Sequence, residues 1–259
     1  MEVADRVVVV TGAARGIGRA LARRFARSGA EAVVVADVDA DGAGIVAKEI
    51  GGTAVKCDVS REDQVADLVS DVLSAHGRID IFCSNAGIGV GGGPEAPTSE
   101  WQRIWDVNLM SHVFVARHAL PGMIDRKEGY LLGTVSAAGL LNHVFAAPYG
   151  VTKAAALSLF EWLAIAHGDD GIRVSCLCPQ GVKTDMLAAE RRLGFDFLTA
   201  GALEPDQVAD VVLDGLRTEK FLILPHPEVA EYFGRKAQDY DRWLRGMRRL
   251  RTNLLAASK

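Results

Sequence analysis

Between residues 6 and 224 short apolar runs alternate without interruption with longer stretches of helical periodicity, and that order constrains the fold more than any other property of the chain. The apolar runs cover residues 6–10, 32–36, 53–56, 79–83, 130–135, 173–178 and 221–224. The first is nearly all valine, which reads as a strand covered on both faces rather than one with a wet side. Helical stretches at 19–27, 41–50, 60–76, 99–123, 149–167 and 205–216 fill the intervals, with Ser60 and Ser99 as expected caps. Strict alternation of this kind implies an α/β fold: a doubly wound, seven-stranded parallel sheet of Rossmann type with right-handed crossovers, flanked by helices. Ligands of such sheets lie beyond the C-terminal strand ends. The expectation is a single domain over 1–259, with a lid around 185–203 and a helical tail around 227–251.

Polar residues collect at those strand ends. After the first strand comes Thr11-Gly12-Ala13-Ala14-Arg15-Gly16-Ile17-Gly18. Glycines there let bare backbone approach a pyrophosphate at a helix N-terminus. The second strand ends in Asp37, nineteen residues past Gly18, where a carboxylate would accept from ribose hydroxyls; a turn or cap role for Asp37 is the alternative. Asp58, Asn85 and Ser136 follow three later strands in the same way.

Tyr149 and Lys153 are four apart on an expected helix, so their side chains share a face one turn apart. A tyrosine hydroxyl titrates near pH ~10 in water, and an adjacent ammonium favours the phenolate, which makes Tyr149 a usable proton-transfer group. Ser136 lies where a hydroxyl can donate to the same substrate oxygen.

Composition excludes more than it selects. With 259 residues, 49% of them hydrophobic, the chain can bury one large core, and a net charge of −4 gives no reason to expect a nucleic-acid partner. No apolar run approaches a membrane span and no signal segment is read, so a cytoplasmic protein is expected. Cys57, Cys83, Cys176 and Cys178 lack metal or redox spacing and read as reduced, structural residues; no metal site is expected. In the tail, Trp243, Leu244, Met247 and Leu250 recur at helical spacing among Arg242, Arg245, Arg248, Arg249 and Arg251, a stripe that suits packing on the domain or a second subunit, or a membrane surface.

Taken together, Thr11-Gly12-x-x-x-Gly16-x-Gly18, Asp58, Asn85-Ala86-Gly87, Asn108, Ser136, Tyr149-x-x-x-Lys153 and the 179–184 stretch resemble the short-chain dehydrogenase/reductase family, ordinary single-domain branch, over essentially the whole chain. The resemblance implies a nicotinamide dinucleotide with Gly12, Arg15, Gly16, Ile17 and Gly18 around its phosphates, Asp58 and Val59 near adenine, and Asn85, Ala86 and Gly87 along the path to the nicotinamide. It implies that Tyr149 is the acid/base, that Ser136 orients the substrate oxygen, and that Lys153 binds the nicotinamide ribose. Asn108 would mark a helix distortion that holds a water beside the lysine, while Pro179, Gly181, Val182 and Thr184 would border the nicotinamide. Ser84 stands where the family often has a second asparagine, and Gln180 separates Pro179 from a glycine that usually follows directly.

Asp37, with Val38 beside it, repels a 2′-phosphate and favours NAD(H); Arg15 pulls toward NADP(H). The expected reaction is hydride transfer between the nicotinamide and a secondary alcohol or ketone. Residues 88–98, 140–148 and 185–202 are the expected walls, with Leu140, Leu141, Val144, Phe145, Met186, Leu187, Phe195, Phe197 and Leu198 making them apolar and Asn142 and His143 the polar exceptions, so the substrate is read as hydrophobic. An NADP(H)-dependent ketone reductase and a non-catalytic nucleotide-binding regulator are the competing readings. Family resemblance further implies a homo-oligomer, tetramer or dimer, paired through the helices around the Ser136 strand.

Overall fold

The computed structural model describes residues 1–192 and 198–257. Phe195 and Phe197 lie outside the described residues. The chain runs β1 (Val7–Thr11), α1 (Gly16–Arg27), β2 (Ala32–Asp37), α2 (Ala40–Ile50), β3 (Thr53–Lys56), α3 (Glu62–His76) and β4 (Ile81–Ser84). It continues with α4 (Thr98–Trp105), α5 (Ser111–Asp125), β5 (Gly129–Thr134), α6 (Ala137–Leu141), α7 (Ala147–His167) and β6 (Ile172–Leu177). Then come α8 (Asp185–Arg192), α9 (Pro205–Thr218), β7 (Leu222–Ile223), α10 (Glu228–Gln238) and α11 (Tyr240–Ala257).

All seven strands pair in parallel in the order β3-β2-β1-β4-β5-β6-β7. The chain winds outward from β1 to β3, returns to pair β4 beside β1, and winds outward again. That reversal opens a crevice at the C-terminal ends of β1 and β4. Alternate side chains of each strand enter opposite cores. Val7, Val9, Phe82 and Leu131 pack with Val65, Leu68, Met123 and Phe160 of α3, α5 and α7. Val8, Val10, Ile81 and Leu132 pack with Leu21, Phe25, Val46 and Val212 of α1, α2 and α9 on the other side. Burial on both faces is what the valine run of β1 requires.

Several boundaries differ from the sequence reading, four of them for a reason visible in the local structure. α3 begins at Glu62 with Arg61 before it, because Ser60 instead turns its hydroxyl back to Asp58 Oδ1 at 2.7 Å. Pro97 precedes the first turn of α4 and places Ser99 inside it. The expected 99–123 helix is interrupted by a π-helical turn, Asp106–Met110, between α4 and α5. The tail is two helices, because Asp239 is extended and its carboxylate accepts from Arg242 N–H at 2.8 Å, starting α11 afresh. Among the described residues no helix is long and apolar enough to cross a membrane. All four cysteines are free and buried, and burial pushes the Cys57 thiol up to about 11.

Candidate active site

The crevice begins with the turn from β1 into α1. Gly12 has φ +63°, and a Cβ there would stand 2.8 Å from Ala86 Cα; at Gly18 a Cβ would collide with the Gly12 carbonyl oxygen and stand 2.6 Å from Asn85 Nδ2. Backbone from two strand ends therefore meets at a spacing that only glycine allows. No side chain caps α1, and its first turn holds no acidic residue, so its N-terminal amides and the positive end of its dipole face the crevice. These features fit the pyrophosphate of a dinucleotide.

Asp37 is buried at the end of β2. Its Oδ2 accepts from Ala14 N–H at 2.9 Å and its Oδ1 from Asp39 N–H at 3.0 Å, which fixes the glycine turn to the start of α2. Each carboxylate oxygen keeps room for a second donor. Arg15 is exposed and lies between two carboxylates, 3.5 Å from Asp39 and 3.9 Å from Asp185. Its charge is thus shared on the protein itself. Asp58 Oδ1 accepts from Ser60 N–H and Oγ, while Asp58 N–H donates to Gln64 Oε1 at 2.8 Å; Val59 beside it is buried.

Asn85 welds three strand ends. Its Nδ2 donates to the Thr11 carbonyl at 2.9 Å and its Oδ1 accepts from Thr134 Oγ1 at 2.9 Å, while its own N–H donates to Thr11 Oγ1. The Asn85 side chain thus bonds the β1 and β5 ends, and Ala86 and Gly87 carry the backbone onward along the crevice. Ser84, the departure from the family pattern, bonds the buried His112 at 2.6 Å. Burial holds His112 down at about 3, so its imidazole is neutral.

At the next strand end α7 brings Tyr149 and Lys153 to one face, and Lys153 Nζ lies 5.8 Å from the centre of the Tyr149 ring. Lys153 is 3% exposed and donates to the Thr134 carbonyl at 2.9 Å. Desolvation pulls its ammonium down to about 8. A Cβ on Gly87 would stand 3.3 Å from that ammonium and 3.4 Å from Asn108 Oδ1, so the lysine, the asparagine and the Gly87 backbone meet in one corner. Asn108 occupies the π-helical turn and is fully buried; its amide also reaches Thr152 Oγ1 at 3.4 Å. Ser136 begins α6, its Oγ accepting from Ala138 N–H at 3.1 Å. The next residue, Ala137, donates its N–H to the Pro179 carbonyl at 2.8 Å, tying this corner to the 179–184 stretch.

Two expected walls are stitched together. Gly92 and Ala146 form a parallel bridge, with Gly92 N–H donating to the Phe145 carbonyl at 2.9 Å and Ala147 N–H to the Gly92 carbonyl at 2.8 Å. Between them the His143 ring meets the Tyr149 ring edge to face, centres 6.1 Å apart. Burial holds His143 down at about 4, neutral at physiological pH. Met186 of α8 comes near Gly89 from the lid side, whereas Leu140 belongs to the core rather than a wall. The ends of the expected lid are bonded to each other: Lys183 N–H donates to the Leu203 carbonyl at 2.9 Å and Leu203 N–H to the Gly181 carbonyl at 3.1 Å. Val182 is buried in this bridge, Thr184 packs against Gly16, and Gln180 N–H donates to Nδ1 of the buried His226 at 3.2 Å.

Sequence reasoning missed Thr134, Thr152 and His226. All three act on the site through backbone groups or a second side chain, and no spacing in the sequence announces such contacts.

The family model described as short chain dehydrogenase matches residues 6–193. Among curated relatives, a meso-2,3-butanediol dehydrogenase of Serratia marcescens is 37% identical over 217 residues, covering 80% of this chain and 86% of that one. A mitochondrial borneol dehydrogenase of Lavandula x intermedia is 35% identical over 215 residues, covering 80% and 82%. A crystal structure of a short chain dehydrogenase/reductase from Burkholderia phymatum in complex with NAD superposes with a TM-score of 0.86 at 29% identity, covering 93% of this chain and 96% of that one.

Proposed function

The chain belongs to the short chain dehydrogenase family of oxidoreductases, and from that premise we propose that it moves hydride between NAD(H) and a hydrophobic secondary alcohol or ketone, with Tyr149 as the acid/base. The observation that carries the reading is the buried Lys153 ammonium, 5.8 Å from the Tyr149 ring and anchored on the Thr134 carbonyl. Burying a lysine without a carboxylate partner is costly, and a cation kept there has a phenolate as its natural beneficiary.

Gly12, Gly16, Ile17 and Gly18 would hold the pyrophosphate, Asp37 the adenine ribose, Asp58 and Val59 the adenine, and Lys153 the nicotinamide ribose. Asn85, Ala86, Gly87, Pro179, Gly181, Val182 and Thr184 would frame the nicotinamide. When bound, the dinucleotide supplies the hydride acceptor for oxidation and the donor for reduction. In the oxidative direction Tyr149 Oη takes the proton from the substrate hydroxyl as the carbinol carbon gives up its hydride. Ser136 Oγ donates to the same oxygen and holds it at Tyr149. Lys153 stabilises the phenolate, and Asn108 holds the backbone corner next to the lysine. Reduction reverses each transfer.

Asp37 supports NAD(H), because its carboxylate retains acceptor capacity and Arg15 is already held between Asp39 and Asp185. A homo-oligomer is supported by Val151, Trp162 and Ile165, which α7 leaves exposed at 45, 59 and 83%. The test is energy transfer from tryptophan to bound NADH and NADPH, followed by turnover on apolar secondary alcohols. NADH-selective binding with turnover is expected. Binding without turnover on any alcohol or ketone would favour a regulatory protein instead.

A further inference from the structure

A groove of about 580 Å³ lies between the 141–144 segment and α11, outside the strand-end crevice. Its volume is in the range of small-molecule sites, about 300 to 1,000 Å³. Val144, Trp243, Leu244 and Met247 give it an apolar lining. Around them stand Lys236, Arg245, Arg248 and Arg251 against a single carboxylate, Asp241, in a chain whose net charge is −4. The local excess of cation is therefore a property of the groove and not of the surface at large.

Two of the cations hold the wall. Lys236 Nζ donates to the Leu140 carbonyl at 2.6 Å, and Arg251 Nε donates to the Val144 carbonyl at 3.2 Å with its guanidinium 5.6 Å from the Phe145 ring centre. The other two are uncommitted: among the described residues the guanidinium groups of Arg245 and Arg248, three apart on one face of α11, have no hydrogen-bond or ion-pair partner. His143, which also lines the groove, is neutral at physiological pH, so the positive charge comes from the lysine and the arginines. His143 is also the residue whose ring meets Tyr149. Groove and reacting corner thus share one side chain.

We propose that this groove binds the carboxylate end of an apolar substrate, Arg245 and Arg248 receiving the anion while Val144, Trp243 and Met247 cover the adjoining hydrocarbon. The substrate class is then a hydrophobic alcohol or ketone that carries a carboxylate at a distance from the reacting carbon. This deepens the reading of Tyr149 as acid/base and rests on it. Paired guanidinium groups bind a carboxylate through charge-assisted hydrogen bonds, and a concave apolar lining beside them selects one with an attached hydrocarbon.

Trp243 gives a readout that does not depend on turnover. Octanoate, titrated into the whole protein, is expected to change the tryptophan emission, and 1-octanol to bind at least roughly ten-fold more weakly. The octanoate signal should vanish in Trp243→Phe, and octanoate affinity should fall about ten-fold in Arg245→Gln/Arg248→Gln. A long-chain acid bearing a secondary hydroxyl near its far end, and its methyl ester, provide the kinetic arm. The ratio of kcat/KM for acid over ester should fall about ten-fold in the double variant, through KM. Equal binding of octanoate and octanol, or octanoate binding indifferent to the double substitution, overturns the proposal. So does arginine-dependent sedimentation with anionic vesicles when octanoate gives no signal, which would assign α11 to a membrane surface. Octanoate binding that persists when neither acid nor ester is turned over keeps the anion site, and overturns the reaction and the assignment of that anion as substrate.

Discussion

Asn108 holds Ile88 by both of its backbone groups, its Oδ1 accepting from Ile88 N–H at 2.9 Å and its Nδ2 donating to the Ile88 carbonyl at 2.9 Å. Ile88 opens the loop that leaves the reacting corner, so one buried amide sets where that loop departs. A leucine at 108 keeps the branching at the γ position, is larger, and makes none of the bonds. Asn108→Leu is expected to destabilise the protein by about 2 to 4 kcal/mol, the cost of stranding two buried backbone groups. Urea unfolding reads this directly; a midpoint equal to that of wild type would show that the pair contributes nothing.

Tyr149→Phe removes one oxygen at the reacting corner. Turnover should fall by at least about a thousand-fold, in keeping with the loss of a positioned acid/base. The dissociation constant for NADH should stay within about two-fold, because the substitution leaves the glycine turn, Asp37 and Lys153 in place. Stopped-flow turnover and fluorescence titration measure the two separately.

Lys153 makes stability depend on pH in a window set by its own titration. Its ammonium is at about 8 when folded, below its ordinary value of 10.5, so folding disfavours the charged form. Below about pH 8 the lysine is charged in both states and the whole desolvation cost is present. From there toward about 10.5 the folded protein sheds its proton before the unfolded chain does, and stability attributable to this group rises by a few kcal/mol. Lys153→Met lacks the term. The stability of wild type measured against Lys153→Met should therefore improve across that window, with the methionine variant inactive throughout; a constant difference would mean that the lysine is not desolvated.

Asp37→Ser removes a carboxylate that braces both the glycine turn and the start of α2. NADH affinity is expected to fall by at least about ten-fold while NADPH affinity rises or holds, narrowing the preference by at least that factor. Parallel titrations with the two nucleotides give the ratio. A preference unchanged by the substitution would assign Asp37 to the turn alone.

The strands were legible in the sequence because a parallel sheet with two covered faces leaves valine runs, and the polar residues of the crevice were legible because they follow those runs directly. Tyr149 and Lys153 could be paired from their spacing alone. The environment of Lys153 could not: that its ammonium meets the Thr134 carbonyl depends on how β5 ends against α7, a tertiary fact. Caps were misread for a local reason. Ser60 and Ser99 each have the composition of a cap, but Asp58 captures the first and Pro97 fixes the backbone ahead of the second. Asp239 hid the division of the tail, since an aspartate within a run of helical periodicity looks like any exposed residue until its carboxylate is seen to start a new helix.

The bonded ends of the lid bear on how this chain could change its substrate. With Leu203 fastened to both Gly181 and Lys183, the chain leaves the 181–183 stretch and returns to it at a fixed point, so the two ends are held together whatever lies between. Doubling the length of a flexible loop with fixed ends costs only about 0.6 kcal/mol. Insertions between the end of α8 and Leu203 therefore cost the seven strands little in chain closure. Mutational drift, or a designer, can lengthen the chain there while Thr184, Asp185 and Met186 keep their places at the edge of the crevice.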